Sequence, residues 1–219
     1  MAILQVIYED NHLLVIFKPA GMPSQEDASK ALDVITAGKK YLKDKYNKPG
    51  NVFCGLVHRL DRPVSGLMVL AKTSKAAARL TTQFQSKDIL KEYHCVVKGY
   101  PSLGLYEDFL YKDKKTNTTI VSNKGKKAQL LVEDVRYENP YSLVKIHLIT
   151  GRSHQIRVQM ASRNMPIVND HRYNKEAKVN NDIALFANKI SLIHPTLKTP
   201  LTFELDLPTT YPWNLFKNS

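Results

Sequence analysis

Short apolar or alternating segments recur along this chain, and few of them are separated by a helix. Residues 3–8 and 12–17 form the first pair, around a turn at Asp10-Asn11. The pattern returns at 52–58, 66–71, 90–99, 118–122, 129–138, 142–149, 184–193 and 201–207. In one of these, Val144, Ile146 and Leu148 alternate with Lys145 and His147, as in a sheet with one wet face. Helical spacing is confined to three stretches. Residues 29–46 carry Leu32, Ile35, Leu42 and Tyr46 on one side and lysines on the other. Residues 74–86 follow a cap at Thr73 or Ser74 and bury Ala77, Leu80 and Phe84. Residues 153–163 follow Thr150-Gly151. This order predicts an α+β fold on a mixed, mostly antiparallel sheet rather than a doubly wound one.

At 219 residues, 43% of them hydrophobic, the chain can bury one sizeable core, and a single domain over 1–219 is expected. No apolar run approaches the roughly 20 residues that span a bilayer. Leu13 to Phe17 is strand length, and the N-terminus has no basic segment leading into an apolar one. Two cysteines, Cys54 and Cys95, make no disulfide framework. They read as small buried residues, and the chain as a cytoplasmic protein without a membrane partner.

The formal net charge of +12 asks for a polyanion, with nucleic acid the default. The surplus is clustered. Residues 38–48 hold five lysines against Asp44, and residues 112–127 hold six lysines against Asp113. Residues 152–178 hold four arginines and two lysines against Asp170 and Glu176. One such run is usually a solvated face; three together favour a polyphosphate surface.

Within this basic chain, Gly55-Leu56-Val57-His58-Arg59-Leu60-Asp61-Arg62-Pro63-Val64-Ser65-Gly66 places one carboxylate among cationic side chains. Pro63 and Gly66 impose a loop. An acid in a phosphate-binding surface repels its ligand, which points to a chemical role for Asp61 as base, nucleophile or metal ligand. The alternative is an Asp–Arg ion pair that shapes the loop. A metal is disfavoured, because no second Asp, Glu or His sits at ligand spacing nearby.

His58-Arg59-Leu60-Asp61 followed by Ser65-Gly66 resembles the catalytic signature of the RluA-like family of RNA pseudouridine synthases. Ile7-Tyr8-Glu9-Asp10 through Lys18-Pro19-Ala20-Gly21 resembles the family's opening motif, and Lys91 to Gly99 its tyrosine motif. Thr150-Gly151-Arg152-Ser153-His154-Gln155-Ile156-Arg157-Val158 resembles its third motif, continued by Pro166 to Asp170 and Tyr173. His194-Pro195 and Leu201 to Pro208 resemble its end. The resemblance covers nearly the whole chain, in family order.

It implies the family's fold around a central RNA-binding cleft, and the conversion of uridine in ribosomal or transfer RNA to pseudouridine without cofactor or metal. Asp61 corresponds to the essential aspartate, whether it attacks the sugar, adds to the base or deprotonates the ribose. Arg157 corresponds to the arginine that keeps this carboxylate ionised and fixes its rotamer. Tyr93 corresponds to the tyrosine that stacks on the target base, and Ile156 forms an apolar wall. The target must leave its stack. Arg59 is then either the side chain that fills the vacated space or grips the backbone, or a second structural partner of the loop. Arg152 reads as a phosphate contact helped by the amides of the helix end. Arg62 joins this substrate-binding set. His58 also belongs to it, although His58 and His154 fit loop-ordering hydrogen bonds better than acid–base work.

Four positions depart from the family pattern: Phe17, Val64, Asn164 and Asn169, the last two standing where glycine is usual. The opening motif starts by Ile7, so no small N-terminal RNA-binding domain is expected. Recognition then falls to the core of a monomer and its lysine loops, residues 38–50 and 111–127. Competing readings are a non-catalytic RNA-binding or ribosome-associated protein on the same fold, and a metal-dependent nuclease.

Overall fold

A computed structural model describes residues 4–113, 115–178 and 181–217. Ile3, in the first expected strand, and Lys114, in the second lysine cluster, lie outside them. The chain divides into two compact units, Met1–Ile89 with Ile190–Glu204, and Leu90–Lys189 with Leu205–Ser219.

In the first unit, β1 (Gln5–Glu9) pairs antiparallel with β2 (Leu13–Lys18), and β2 with β4 (Ser65–Ala71). Asp10 makes the β1–β2 turn. Its Oδ1 accepts the amides of His12 (2.6 Å) and Leu13 (2.7 Å), which is why an aspartate suits that turn. The expected strand at 52–58 shrinks to β3 (Gly55–Leu56), paired with β4. β4 also neighbours β10 (Leu185–Ile193), a strand that begins in the second unit and ends in the first, and β11 (Pro200–Glu204) pairs with β10.

Helix α2 (Ser74–Ser86) keeps its expected bounds, with Thr73 as the cap. Helix α1 (Val34–Lys45) is shorter than the expected 29–46, because the Asp33 carboxylate accepts the amides of Ile35 and Thr36 and starts the helix there. Its buried face is Val34, Ala37, Gly38 and Leu42 rather than one through Leu32 and Tyr46, which are exposed. Gly38 is what lets α1 come so close: a Cβ there would lie 2.9 Å from Cys54 Sγ.

The far end of α1 is tied to β1 by Glu9. Its carboxylate takes Lys45 (2.7 Å), Lys72 (2.6 Å), Tyr41 (2.9 Å) and Tyr46 (2.6 Å). Burial pushes the Glu9 pKa up, but these four donors outweigh burial and hold it at about 2.

In the second unit the strand order is β10, β5 (Leu90–Lys98), β9 (Tyr141–Leu148), β8 (Lys126–Glu138), β6 (Gly104–Asp113), β7 (Thr118–Val121). The β5–β9, β9–β8, β8–β6 and β6–β7 pairings are all antiparallel. Strand β6 was not foreseen. Its apolar residues come as Leu105-Tyr106 and Phe109-Leu110-Tyr111, so both faces are apolar and the alternation vanishes. Gly125 is required where the chain returns toward it, since a Cβ there would lie 2.3 Å from the Leu110 carbonyl carbon.

Helix α3 (Gln155–Ala161) covers one face of this sheet, where Val158 packs with Leu110, Ala128 and Tyr173. A 3-10 turn, Trp213–Phe216, was also unforeseen, and Trp213 packs on Phe186. Asn164 and Asn169, the two glycine replacements, adopt φ of 59° and 60°. Asparagine is the side chain that tolerates this region best, so the loops keep the shape glycine would give them.

Because the Glu9 pKa is lowered on folding, its ion pairs add stability above about pH 4.5, and this is lost as pH falls toward 2. Glu9→Gln is expected to cost about 1–3 kcal/mol at neutral pH. In urea titrations the gap from wild type narrows progressively below pH 4.5.

Candidate functional site

Asp61 lies in the loop between β3 and β4, and the chain on both sides of it is fastened to the segment after β2. On one side Ser24 Oγ donates to the Leu60 carbonyl (2.7 Å) and accepts the Leu60 amide (3.2 Å). On the other side the Arg62 carbonyl accepts from the Gly21 amide (2.9 Å) and from Lys18 Nζ (3.1 Å). Arg62 Nε returns a bond to the Gly21 carbonyl (2.9 Å), and the Val64 amide closes a turn onto the Asp61 carbonyl (2.9 Å). Pro63 suits that turn, since it fixes φ.

Lys18 is the centre of this arrangement. It is fully buried, and its ammonium donates to the carbonyls of Pro19 (2.9 Å), Met22 (2.8 Å) and Arg62. Three donors meet three acceptors. Burial lowers its pKa to about 8; the charge of Asp61 opposes that shift, and the charge of Arg62 adds to it. Sequence reading gave Lys18 and Ser24 no role. The available signal was a lysine sharing a strand face with Leu14 and Ile16 just before a proline. A charge in that position must find partners.

The cationic neighbours of Asp61 divide. Arg62 is engaged locally, holding Gly21 and bonding Ser29 Oγ (3.1 Å) and Asp27 (3.4 Å). His58 orders the loop: its Nε2 accepts the Val69 amide (2.9 Å) and its ring stacks on Phe84 at 4.6 Å. An imidazole nitrogen that accepts an amide is unprotonated, so this contact favours the neutral ring. Arg59 is exposed, and its guanidinium has no hydrogen bond or ion pair among the described residues.

Tyr93 and Arg157 belong to the second unit. Tyr93 on β5 stands opposite Ile146 on β9, which stands opposite Val132 on β8. That register puts Tyr93 on the sheet face covered by α3, and it is 8% exposed. Arg157 is buried on α3. Its Nε and Nη2 donate to the two oxygens of Asp170 at 2.8 and 2.7 Å, and its guanidinium lies 5.2 Å from the Tyr173 ring centre. This planar two-point grip is one a lysine could not make. The Tyr173 hydroxyl meets His154 Nδ1 (2.8 Å) and accepts the Thr119 amide (2.9 Å), so His154 too is an ordering residue. Asp170 and Tyr173 thus help set the orientation of Arg157.

Ile156 is buried beside Arg157. Arg152 is exposed, and its Nε donates to the Lys127 carbonyl (2.9 Å). The expected help from helix amides is reduced, because the Gln155 amide that opens α3 already donates to the Arg152 carbonyl (3.2 Å). Cys54 and Cys95 are buried thiols, and burial raises the pKa of each, which removes them as nucleophiles. Among the described residues no group of three or more His, Cys, Asp or Glu is placed to hold a metal ion. No helix among them is long and apolar enough to cross a membrane.

The family model described as RNA pseudouridylate synthase matches residues 12–162. The ribosomal large subunit pseudouridine synthase D of Zymomonas mobilis is 33% identical, over 94% of this chain and 69% of that one. The ribosomal large subunit pseudouridine synthase C of Buchnera aphidicola from Acyrthosiphon pisum is 30% identical, over 91% and 68%. Among solved structures, the human RNA pseudouridylate synthase domain-containing protein 4 superposes with a TM-score of 0.77 at 22% identity, over 93% of this chain and 88% of that one. The human domain-containing protein 1 gives 0.71 at 19%, over 94% and 84%. The chain belongs to the RluA-like family of RNA pseudouridine synthases, and its enzyme class is that of an RNA pseudouridine synthase.

Lys18→Met keeps the volume and leaves three buried carbonyls short of a donor. Its expected effect is a fall in kcat of at least about tenfold with KM little changed, read by steady-state pseudouridine formation. The wild-type rate should fall as pH rises past about 8, where the ammonium loses a donor. Stability moves the other way. A lysine whose pKa is lowered on folding adds stability between about pH 8 and 10.5, so activity is lost without unfolding.

Proposed function

We propose that this enzyme isomerises uridine in large-subunit ribosomal RNA, and that Asp61, Tyr93 and Arg157 carry the reaction in the roles their motifs give them. The rearrangement is internally balanced. The bond from the sugar to ring nitrogen breaks, a bond to ring carbon forms, and the proton lost from that carbon is matched by the one the nitrogen gains. No oxidant, reductant or energy source enters, so the chemistry calls for a held carboxylate and a confined base rather than a cofactor.

The observation that carries this reading is the fastening of Leu60 and Arg62 by Ser24 and Lys18, with Asp61 between them. Fixing both neighbours of one carboxylate is what a reacting group needs. A loop-shaping ion pair needs no such support. Arg59, exposed two residues before Asp61, is suited to enter the space the target base leaves. Tyr93 supplies a ring face for the extruded base, and Ile156 an apolar wall. The ribosomal target rests on the names of the two bacterial relatives and on the net charge of +12.

Asp61→Asn keeps the shape and removes the charge. Expected is a loss of pseudouridine formation of at least about a thousandfold, while RNA binding stays within a few-fold. Undiminished turnover in this variant overturns the assignment of Asp61.

A further inference from the structure

The strands of the second unit have two unlike faces. Residues Tyr106, Asp108 and Leu110 of β6 point to the face that α3 covers: Gln159 Nε2 reaches the Tyr106 carbonyl and Asp108, and Val158 packs on Leu110. The alternate residues point the other way. There Leu105 is 54% exposed, Phe109 45% and Tyr111 47%, and Ile120 of β7, paired opposite Tyr111, is 50% exposed. Four large apolar side chains stand on one open sheet face, Phe109, Tyr111 and Ile120 adjacent and Leu105 beyond Glu107, and the reaction uses none of them.

We propose that this face is a platform on which unpaired bases of the RNA substrate stack, flanked by cations that hold the intervening phosphates. The inference rests on the reading of the chain as an enzyme of RNA. Successive same-face positions on a strand lie roughly 6.6 Å apart, so Phe109 and Tyr111 offer two ring faces at about twice a base-stacking step.

The surroundings favour a polyanion over any other occupant. Lys127 stands directly opposite Phe109, where its ammonium offsets Glu107, and the free charge comes from its neighbours. Lys115, in the turn between β6 and β7, and Lys124, in the turn between β7 and β8, are exposed and have no ion pair among the described residues. Two arginines are fixed to the backbone of the same hairpins: Arg172 Nη1 on the Thr116 carbonyl (3.2 Å) and Arg152 Nε on the Lys127 carbonyl (2.9 Å). Each carbonyl takes one N–H and orients the rest of the fork.

The acids of this face are already spoken for. Glu107 accepts from Lys127 (3.0 Å) and Gln129 (2.8 Å), which hold its carboxyl below the usual range. Asp113 is folded onto the Lys115 amide and the Thr116 hydroxyl. What remains outward is apolar surface rimmed by positive charge, the combination that single-stranded RNA binders use. A second copy of this chain would bring the same positive rim against itself.

The test compares two RNA probes of equal length, one a perfect duplex and one with unpaired flanks, by fluorescence anisotropy at fixed salt. The double variant Phe109→Ala/Tyr111→Ala is expected to weaken binding of the unpaired probe by roughly 30-fold. Binding of the duplex stays within about twofold, since that contact is electrostatic. Phe109→Tyr/Tyr111→Phe keeps both rings and should bind both probes as wild type does, which separates a lost platform from a lost fold. Equal losses on the two probes, or no loss, overturn the platform. So does self-association of the wild type that the double variant abolishes, because the face is then a dimer contact. Pseudouridine formation by the wild type is scored separately. Ring-dependent binding without it leaves the platform standing and removes the catalytic reading; turnover without ring-dependent binding does the reverse.

Discussion

A single buried ammonium underlies the geometry around Asp61. Lys18 has no exposed surface, and burying an unpaired charge would cost several kcal/mol. It is tolerated because three carbonyls, from Pro19, Met22 and Arg62, converge on it. The cost of breaking that set is what keeps the segment after β2 and the Asp61 loop in one arrangement. The Ser24 clasp on Leu60 closes the same loop from its other end. A catalytic aspartate benefits from neighbours that cannot move, because its reach to the target is set by backbone position before any rotamer is chosen.

The second unit solves a similar problem with a different device. Arg157 is buried on a helix of seven residues, too short to be stable alone. The Arg157–Asp170 pair fixes its guanidinium, and Tyr173 lies against it while taking His154 and the Thr119 amide. The helix is thereby anchored at its start, beneath its side chains and at the neighbouring strand. Glu9 plays the same part for α1, where four donors on one carboxylate join β1 to the end of the helix. In each case a buried charge specifies an arrangement that apolar packing would leave loose.

The α+β class, most of the strands and the three helices were legible because their patterns are strong. In α2 the Thr73 cap and Leu80 agree on one reading, although the helix buries Ala76 where Ala77 was expected and leaves Ala77 and Phe84 half-buried. Where the reading failed, the reasons are physical. The start of α1 was placed too early because Leu32 looks like part of the apolar face, whereas the Asp33 cap decides the boundary. Strand β6 was missed because it is apolar on both sides, one against α3 and one toward solvent. The Asp61 loop stood out as an acid in a basic chain. The residues that hold it did not, since Lys18 and Ser24 act through backbone carbonyls and amides that leave no pattern in sequence. Arg59 and Arg62 look alike as exposed neighbours of Asp61, yet Arg62 is bonded to Gly21 and Ser29.

If Lys18 holds the chain around Asp61 in place, amide hydrogen exchange in the folded Lys18→Met protein reads this directly. The protected amides are those of Gly21, Leu60 and Val64, bonded to the Arg62 carbonyl, Ser24 Oγ and the Asp61 carbonyl. These three are predicted to exchange at least about tenfold faster in the variant, while amides in the β2–β4 pairing keep their wild-type rates. Unchanged protection at Gly21, Leu60 and Val64 would contradict the role given to Lys18.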